Sequence, residues 1–145
     1  MEPRIGMEIR VLAKYIGRYL DNIHDIECTL SGPQGLILIY LCEADKDVFQ
    51  RDIEKQFNIR RSTVTGLLNT LEKNGFIIKE SVENDARLKK LIPSSLAYET
   101  VNKINEHVYQ LEQLMLNGIS EEELDTFRNV INKMKTNLTK EWKNG

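Results

Sequence analysis

The sequence predicts a mainly helical chain interrupted once by a small β-hairpin. Three observations carry that reading. Apolar residues recur at helical spacing over most of the 145 residues. The pattern changes to that of strands only between Phe76 and Pro93. Three prolines and eight glycines are too few for a fold rich in tight turns.

Taken in order, Ile9, Leu12, Ala13, Ile16, Leu20 and Ile23 mark an amphipathic helix from about Met7 to Ile26. Ser31-Gly-Pro-Gln34 then has the form of a capping box, with Pro33 in the tolerant first turn. The apolar run Leu36–Cys42 fits a buried strand when taken alone, and the cap decides for a short buried helix ending near Ala44-Asp45. Phe49, Ile53 and Phe57 place a second short helix over Val48–Asn58. Beyond the turn Asn58-Ile59-Arg60, the residues Val64, Leu67, Leu68 and Leu71 place a third over Arg61–Asn74, stopped by Gly75. Two short helices joined by so tight a turn are the skeleton of a helix-turn-helix.

Phe76–Glu80 reads as a strand, Val82–Arg87 as a polar turn region and Leu88–Pro93 as the returning strand. Helices followed by a hairpin with a charged tip make a winged helix-turn-helix. After it, Ala97, Val101, Ile104, Val108, Leu111 and Met115 form a heptad-like seam. Asn117-Gly118 breaks it, Ser120 to Glu123 is a second capping box, and Leu124, Phe127, Ile131, Met134 and Leu138 give another seam. The expected fold class is therefore mainly α with a small β-hairpin wing, carrying long N- and C-terminal dimerisation helices. The expected division is a DNA-binding lobe at 31–93 and a helical dimerisation region made of 1–30 and 94–145.

Composition is that of an ordinary globular chain, with 41% hydrophobic and 29% charged residues. The longest apolar run, Leu36–Cys42, has seven residues, and a membrane-spanning helix needs about 20. No membrane is expected as a partner. The start Met-Glu-Pro-Arg-Ile-Gly lacks the apolar stretch of a secretory signal, so the expected location is the cytoplasm. Net charge is −2, which excludes a simple polycation. Its distribution is uneven: Lys46–Pro93 holds ten basic and seven acidic residues, whereas the rest holds ten and fifteen. A basic middle in an acidic chain is the asymmetry of a localised anion-binding face.

The helix expected over Arg61–Asn74 supplies that face. Opposite its apolar side lie Ser62, Thr65, Gly66, Asn69 and Lys73, with no carboxylate among them. Small donors without negative charge suit a DNA major groove, where asparagine matches adenine bidentately. Arg60 and Arg61 stand at the helix start, placed for phosphates at the positive end of the dipole. The hairpin tip Glu83-Asn84-Asp85-Ala86-Arg87 is followed by Lys89 and Lys90. An arginine there, beside an aspartate able to fix its direction, can enter a narrow minor groove.

Leu30-Ser-Gly-Pro-Gln34, Arg61-Ser-Thr-Val-Thr65, Leu71-Glu-Lys-Asn-Gly75-Phe76-Ile77 and Asp85-Ala-Arg87 together resemble the MarR family of bacterial winged-helix regulators. The resemblance implies a homodimer, a palindromic double-stranded operator and control by a small ligand. It carries the family's recognition positions onto Ser62, Thr63 and Thr65, and its wing arginine onto Arg87. Two positions depart from the pattern. Gly66 stands where many relatives have a longer, often basic side chain. Pro93-Ser-Ser-Leu-Ala-Tyr98 lacks the glycine of the family's Thr-x-x-Gly turn.

A compact winged helix does not use the terminal seams, so they must bury their stripes on each other or on a second subunit. A symmetric dimer is expected, with recognition helices about 34–36 Å apart, one DNA turn. Tyr15, Tyr19, Tyr40 and Tyr98 are candidates for an effector pocket; such residues also serve as core with a polar handle. His24, His107 and Cys28 are too scattered to predict a metal site. Cys42 ends a buried run and reads as an inert hydrophobe, while Asp25 and Glu27 beside Cys28 disfavour its thiolate. No catalytic constellation and no cofactor motif is present in the sequence. The expected function is a sequence-specific DNA-binding regulator, a repressor acting as a homodimer with a small-molecule effector. The alternatives are a winged helix used only for protein interaction, or a zinc- or thiol-responsive member of the same family.

Overall fold

A computed structural model describes residues 2, 4–22 and 30–143. The elements run α1 (Ile5–Asp21), α2 (Gly32–Glu43), α3 (Gln50–Phe57), α4 (Arg61–Lys73), β1 (Ile77–Val82), β2 (Asp85–Pro93), α5 (Ser95–Met115) and α6 (Glu121–Lys143). The chain divides into two compact units, Met1–Tyr109 and Gln110–Gly145, with α5 running across the division. Among the described residues no helix is long and apolar enough to cross a membrane.

The first unit is organised around one apolar cluster. Ile37 and Leu38 of α2, Ile53 of α3, Val64, Leu68 and Leu71 of α4, and Ile77 of β1 are all but inaccessible to solvent. Val48, Phe76, Leu91, Ala97 and Val101 complete it. Four helices and the hairpin thus share one core, and α4 is fixed by three side chains along its inner face. Tyr40 closes the edge of this cluster against Phe57, ring to ring at 5.8 Å and 78°.

Local chemistry sets the boundaries. Ser31 Oγ accepts from the Gln34 N–H at 3.3 Å, and Gln34 Oε1 accepts from the Ser31 N–H at 3.0 Å, the reciprocal box that starts α2. Helix α4 ends in a Schellman turn: Gly75 takes φ +82°, the Phe76 N–H donates to Leu71 O at 2.9 Å, and the Gly75 N–H donates to Glu72 O at 3.1 Å. Leu71 and Phe76, the apolar pair this motif brings together, are both buried. Ser94 caps α5, its Oγ accepting from the Ala97 N–H at 3.3 Å, and this replaces the missing glycine turn. Ser120 and Glu123 form the box before α6.

Two boundaries differ from the sequence expectation. Helix α3 starts at Gln50, not Val48. Val48 and Phe49 are extended instead, because Val48 O accepts from the Leu91 N–H at 2.9 Å and Phe49 bridges Lys90. The hairpin is also longer than expected. Its turn proper is Glu83-Asn84, and Asp85 to Leu88 belong to β2. The antiparallel ladder is regular from Ile77↔Pro93 to Ser81↔Lys89, then jumps to Val82↔Asp85. Ala86, Arg87 and Leu88 are extra on β2 at that irregularity, which bends the strand and re-aims its side chains.

Helix α1 has no buried residue. Ile5, Met7, Ile9, Val11, Leu12 and Tyr15 are all exposed apolar side chains on it, Met7 at 61% and Tyr15 at 63%. In the second unit Leu111 is buried and Leu124, Ile131 and Met134 are half-buried, whereas Phe127, Val130, Leu138 and Trp142 stand exposed. Each unit therefore leaves apolar surface uncovered. The expected helix to Ile26, His24 and Cys28 fall partly or wholly outside the described residues.

Candidate nucleic-acid interface

Because Val64, Leu68 and Leu71 face the core, the opposite arc of α4 must face solvent. Ser62, Thr63, Thr65, Gly66, Asn69 and Lys73 are all exposed on it, with Arg60 and Arg61 exposed at its start. The turn before it is set by Asn58 in the left-handed region, φ 49°. No side chain caps the first turn of α4, so its free N–H groups point outward at the positive end of the helix.

The exposed side chains are not equally free. Thr65 Oγ1 donates to Arg61 O at 2.9 Å and accepts from Gln50 Nε2 at 2.8 Å; the same Gln50 amide reaches Arg61 O at 3.3 Å. The Thr65 hydroxyl proton is therefore committed within the protein, leaving a lone pair and a methyl group outward. Gln50, which the sequence reading did not single out, clamps α3 to the first turn of α4. Asn69 Oδ1 accepts from Lys79 Nζ at 2.7 Å, and that ammonium lies 3.9 Å from Glu72 Oε1. The carboxylate at the end of the exposed α4 arc is thereby answered by a cation from β1.

Between α3, the start of α4 and the hairpin lies a cleft of about 410 Å³ lined by Arg51, Arg61, Lys79, Arg87 and Lys89, with Glu54 the one acid. Phe49, Leu88 and Leu91 give it an apolar side, and the Arg51 guanidinium sits 5.6 Å from the Phe49 ring centroid. The structure thus gathers Arg61, Arg87 and Lys89 and adds Arg51 and Lys79. Lys89 Nζ donates to Ser81 Oγ across the hairpin. Lys90 is drawn elsewhere, 3.8 Å from Asp47. Lys73 lies about 18 Å along α4 from Arg61, at 1.5 Å per residue.

One detail of the wing is corrected. Asp85 Oδ1 accepts from the Arg87 backbone N–H at 2.9 Å, so it fixes the backbone of the bulge and not the guanidinium. Among the described residues Arg87 has no carboxylate partner within ion-pair distance. It is exposed, in the bulge, with its charge available.

Of the four candidate tyrosines, Tyr15 alone lines one of the two clefts described here. Tyr15 lines an apolar cleft of about 710 Å³ along α1 with Met7, Val11 and Leu12. Neither this cleft nor the basic one takes in Tyr19, Tyr40 or Tyr98. Cys42 is half-buried, and burial, then the neighbouring Glu43, pushes its thiol above the ordinary range. His107 is half-buried on α5. Among the described residues no three His, Cys, Asp or Glu side chains group as metal ligands would.

Comparison with known proteins agrees with this geometry. The MarR family model matches residues 29–88. An uncharacterized HTH-type transcriptional regulator, YybA of Bacillus subtilis (strain 168), is 25% identical over 130 residues, covering 88% of this chain and 86% of its own. The heme sensor protein PefR from Streptococcus agalactiae, solved in complex with heme, is 31% identical over 94% of this chain and 95% of its own, with a TM-score of 0.65. The MepR–DNA complex of S. aureus superimposes with a TM-score of 0.83 at 22% identity, over 94% and 99% of the two chains, a likeness of fold.

Proposed function

We propose, because this chain belongs to the MarR family of winged-helix transcriptional regulators, that it represses transcription in the cytoplasm by binding a pseudo-palindromic operator as a homodimer. The family's members are regulators and not enzymes. The observation that carries the proposal is the pairing of an exposed, donor-rich α4 arc with the basic cleft under the wing. Arg60, Arg61, Ser62, Thr63, Asn69, Lys73, Arg87 and Lys89 are assigned to DNA, Arg61 and Arg87 to its phosphates and groove edge, whereas Lys90 is left to its pair with Asp47. Thr65 is assigned chiefly to holding the helix start, since its proton is spent on Arg61 O.

The dimer is supported by the uncovered apolar side chains of α1 and of the second unit. A run of six such residues on one helix exceeds the scattered apolar surface normal for a monomer. A 31–93 DNA-binding lobe flanked by dimerisation helices follows as the division of labour. We assign control of operator release to a small effector. PefR binds heme, so hemin is the first compound of the screen, followed by phenolic acids and zinc.

The test is binding of fluorescent duplexes from the chain's own upstream region at several salt concentrations, with sedimentation giving the stoichiometry. Two chains per site and a steep loss of affinity with salt are expected. No preferred fragment would favour the alternative of a protein-interaction module.

A further inference from the structure

Lys79 lies outside the recognition helix, yet it reaches the one amide on that helix suited to reading a base. Its ammonium is 2.7 Å from Asn69 Oδ1. An ammonium has only donors, so the atom facing it is the carbonyl oxygen, and the Asn69 NH2 group is turned outward. The Lys79 side chain is only 22% exposed and is shared with Glu72 at 3.9 Å. It is therefore held in place from both sides. β1 and α4 are packed together through Ile77, Leu68 and Leu71, which makes this a fixed corner of the fold.

That corner changes what Asn69 can recognise. Bidentate pairing with adenine uses the asparagine carbonyl to accept from N6 and its amide to donate to N7. Here the carbonyl stands against a full positive charge, where a second donor is disfavoured. What remains toward the groove is a donor cluster, the Asn69 NH2 beside the Lys79 ammonium. Guanine presents the matching pair of acceptors, O6 and N7, on its major-groove edge. We infer that Lys79 is a positioning residue that makes Asn69 select guanine over adenine at one base pair of each operator half-site. The inference rests on the reading of α4 as the helix that enters the groove.

Replacing Lys79 alone also bares the Glu72 carboxylate, which weakens binding to every duplex. Base preference, and not affinity, is therefore the diagnostic readout. The experiment is enrichment of randomised duplexes by the full-length protein and by Asn69→Ala, Lys79→Arg, Lys79→Met, and Lys79→Met combined with Glu72→Gln. The last removes both charges and leaves the net charge of the corner unchanged. The parent is expected to enrich guanine at one position per half-site by roughly tenfold over adenine. Asn69→Ala should lose that preference alone. Lys79→Arg keeps a donor on the carbonyl and should retain guanine, whereas Lys79→Met and the double variant should move the same position toward adenine. Adenine at that position in the parent would overturn the inference. So would an unchanged profile in Asn69→Ala, or in both Lys79→Met variants, while operator binding itself would stand. If the parent enriches no duplex at all, the operator reading fails and this inference with it.

Discussion

Replacing Arg87 by alanine gives the sharpest check on how the wing is used. Arg87 is exposed in the bulge of β2, its backbone held by Asp85, and among the described residues it forms no ion pair. Truncation therefore removes a charge without breaking a packed contact, and the thermal midpoint should stay where it was. Each cationic contact to duplex phosphates contributes about 0.9 to the slope of log affinity against log salt. A symmetric dimer loses two such contacts, so the slope should fall by about 1.8. Between 50 and 200 mM salt, about 0.6 log units, the parent's advantage over the variant should then shrink about twelvefold. Fluorescence anisotropy with the operator duplex across that range measures it directly. A slope change near 0.9 would mean that only one wing of the dimer touches DNA. An unchanged slope would refute the placement of Arg87 against the duplex.

Three other outcomes are expected. Leu68→Ala, at a site with no solvent exposure, should cost about 2–5 kcal/mol in urea unfolding; a loss below 1 kcal/mol would mean the core re-packs around α4. Gln50→Ala removes the clamp onto Thr65 and Arg61 O, costing about 1 kcal/mol of stability, and should weaken operator and scrambled DNA by the same factor; a loss confined to the operator would make Gln50 a base reader. In a Cys28→Ser background, Cys42 should react with a disulfide reagent more slowly than a small free thiol at pH 8. Its pKa is raised by burial and then by Glu43, so less thiolate is present at any given pH and the rate rises only at higher pH; a profile at or below that of the free thiol would contradict this.

What the sequence disclosed and what it hid follow from the range of the interactions. Ser31 with Gln34, Ser120 with Glu123, and the stop at Gly75 each involve partners within five residues, and all were readable. So was the inner face of α4, because Val64, Leu68 and Leu71 repeat at helical spacing. The start of α3 was misplaced because Phe49 fits the Ile53–Phe57 stripe while its backbone conformation is decided by Lys90, far along the chain. The bulge at Ala86–Leu88 was hidden for the same reason, since register depends on a partner strand. Gln50 and Lys79 modify the site from 15 and 10 residues away. No local pattern announces a side chain that acts on another element's hydroxyl or amide. The charge surplus of the middle third marked out a basic stretch, but only folding sorts its cations into those that line the cleft and Lys90, which is tied to Asp47.

Ser94 joins three segments of the chain. Its N–H donates to Phe76 O at 2.9 Å, its hydroxyl donates to Gly75 O at 2.7 Å, and the same oxygen accepts from the Ala97 N–H at 3.3 Å. The corner where α4 gives way to the wing and the first turn of α5 are thus riveted through one side chain. The joint between the wing and α5 has little slack, because Ser94 and not a glycine stands before the first turn of α5. A displacement of the first turn of α5 would therefore bear on Gly75 and, through it, on the last turn of α4.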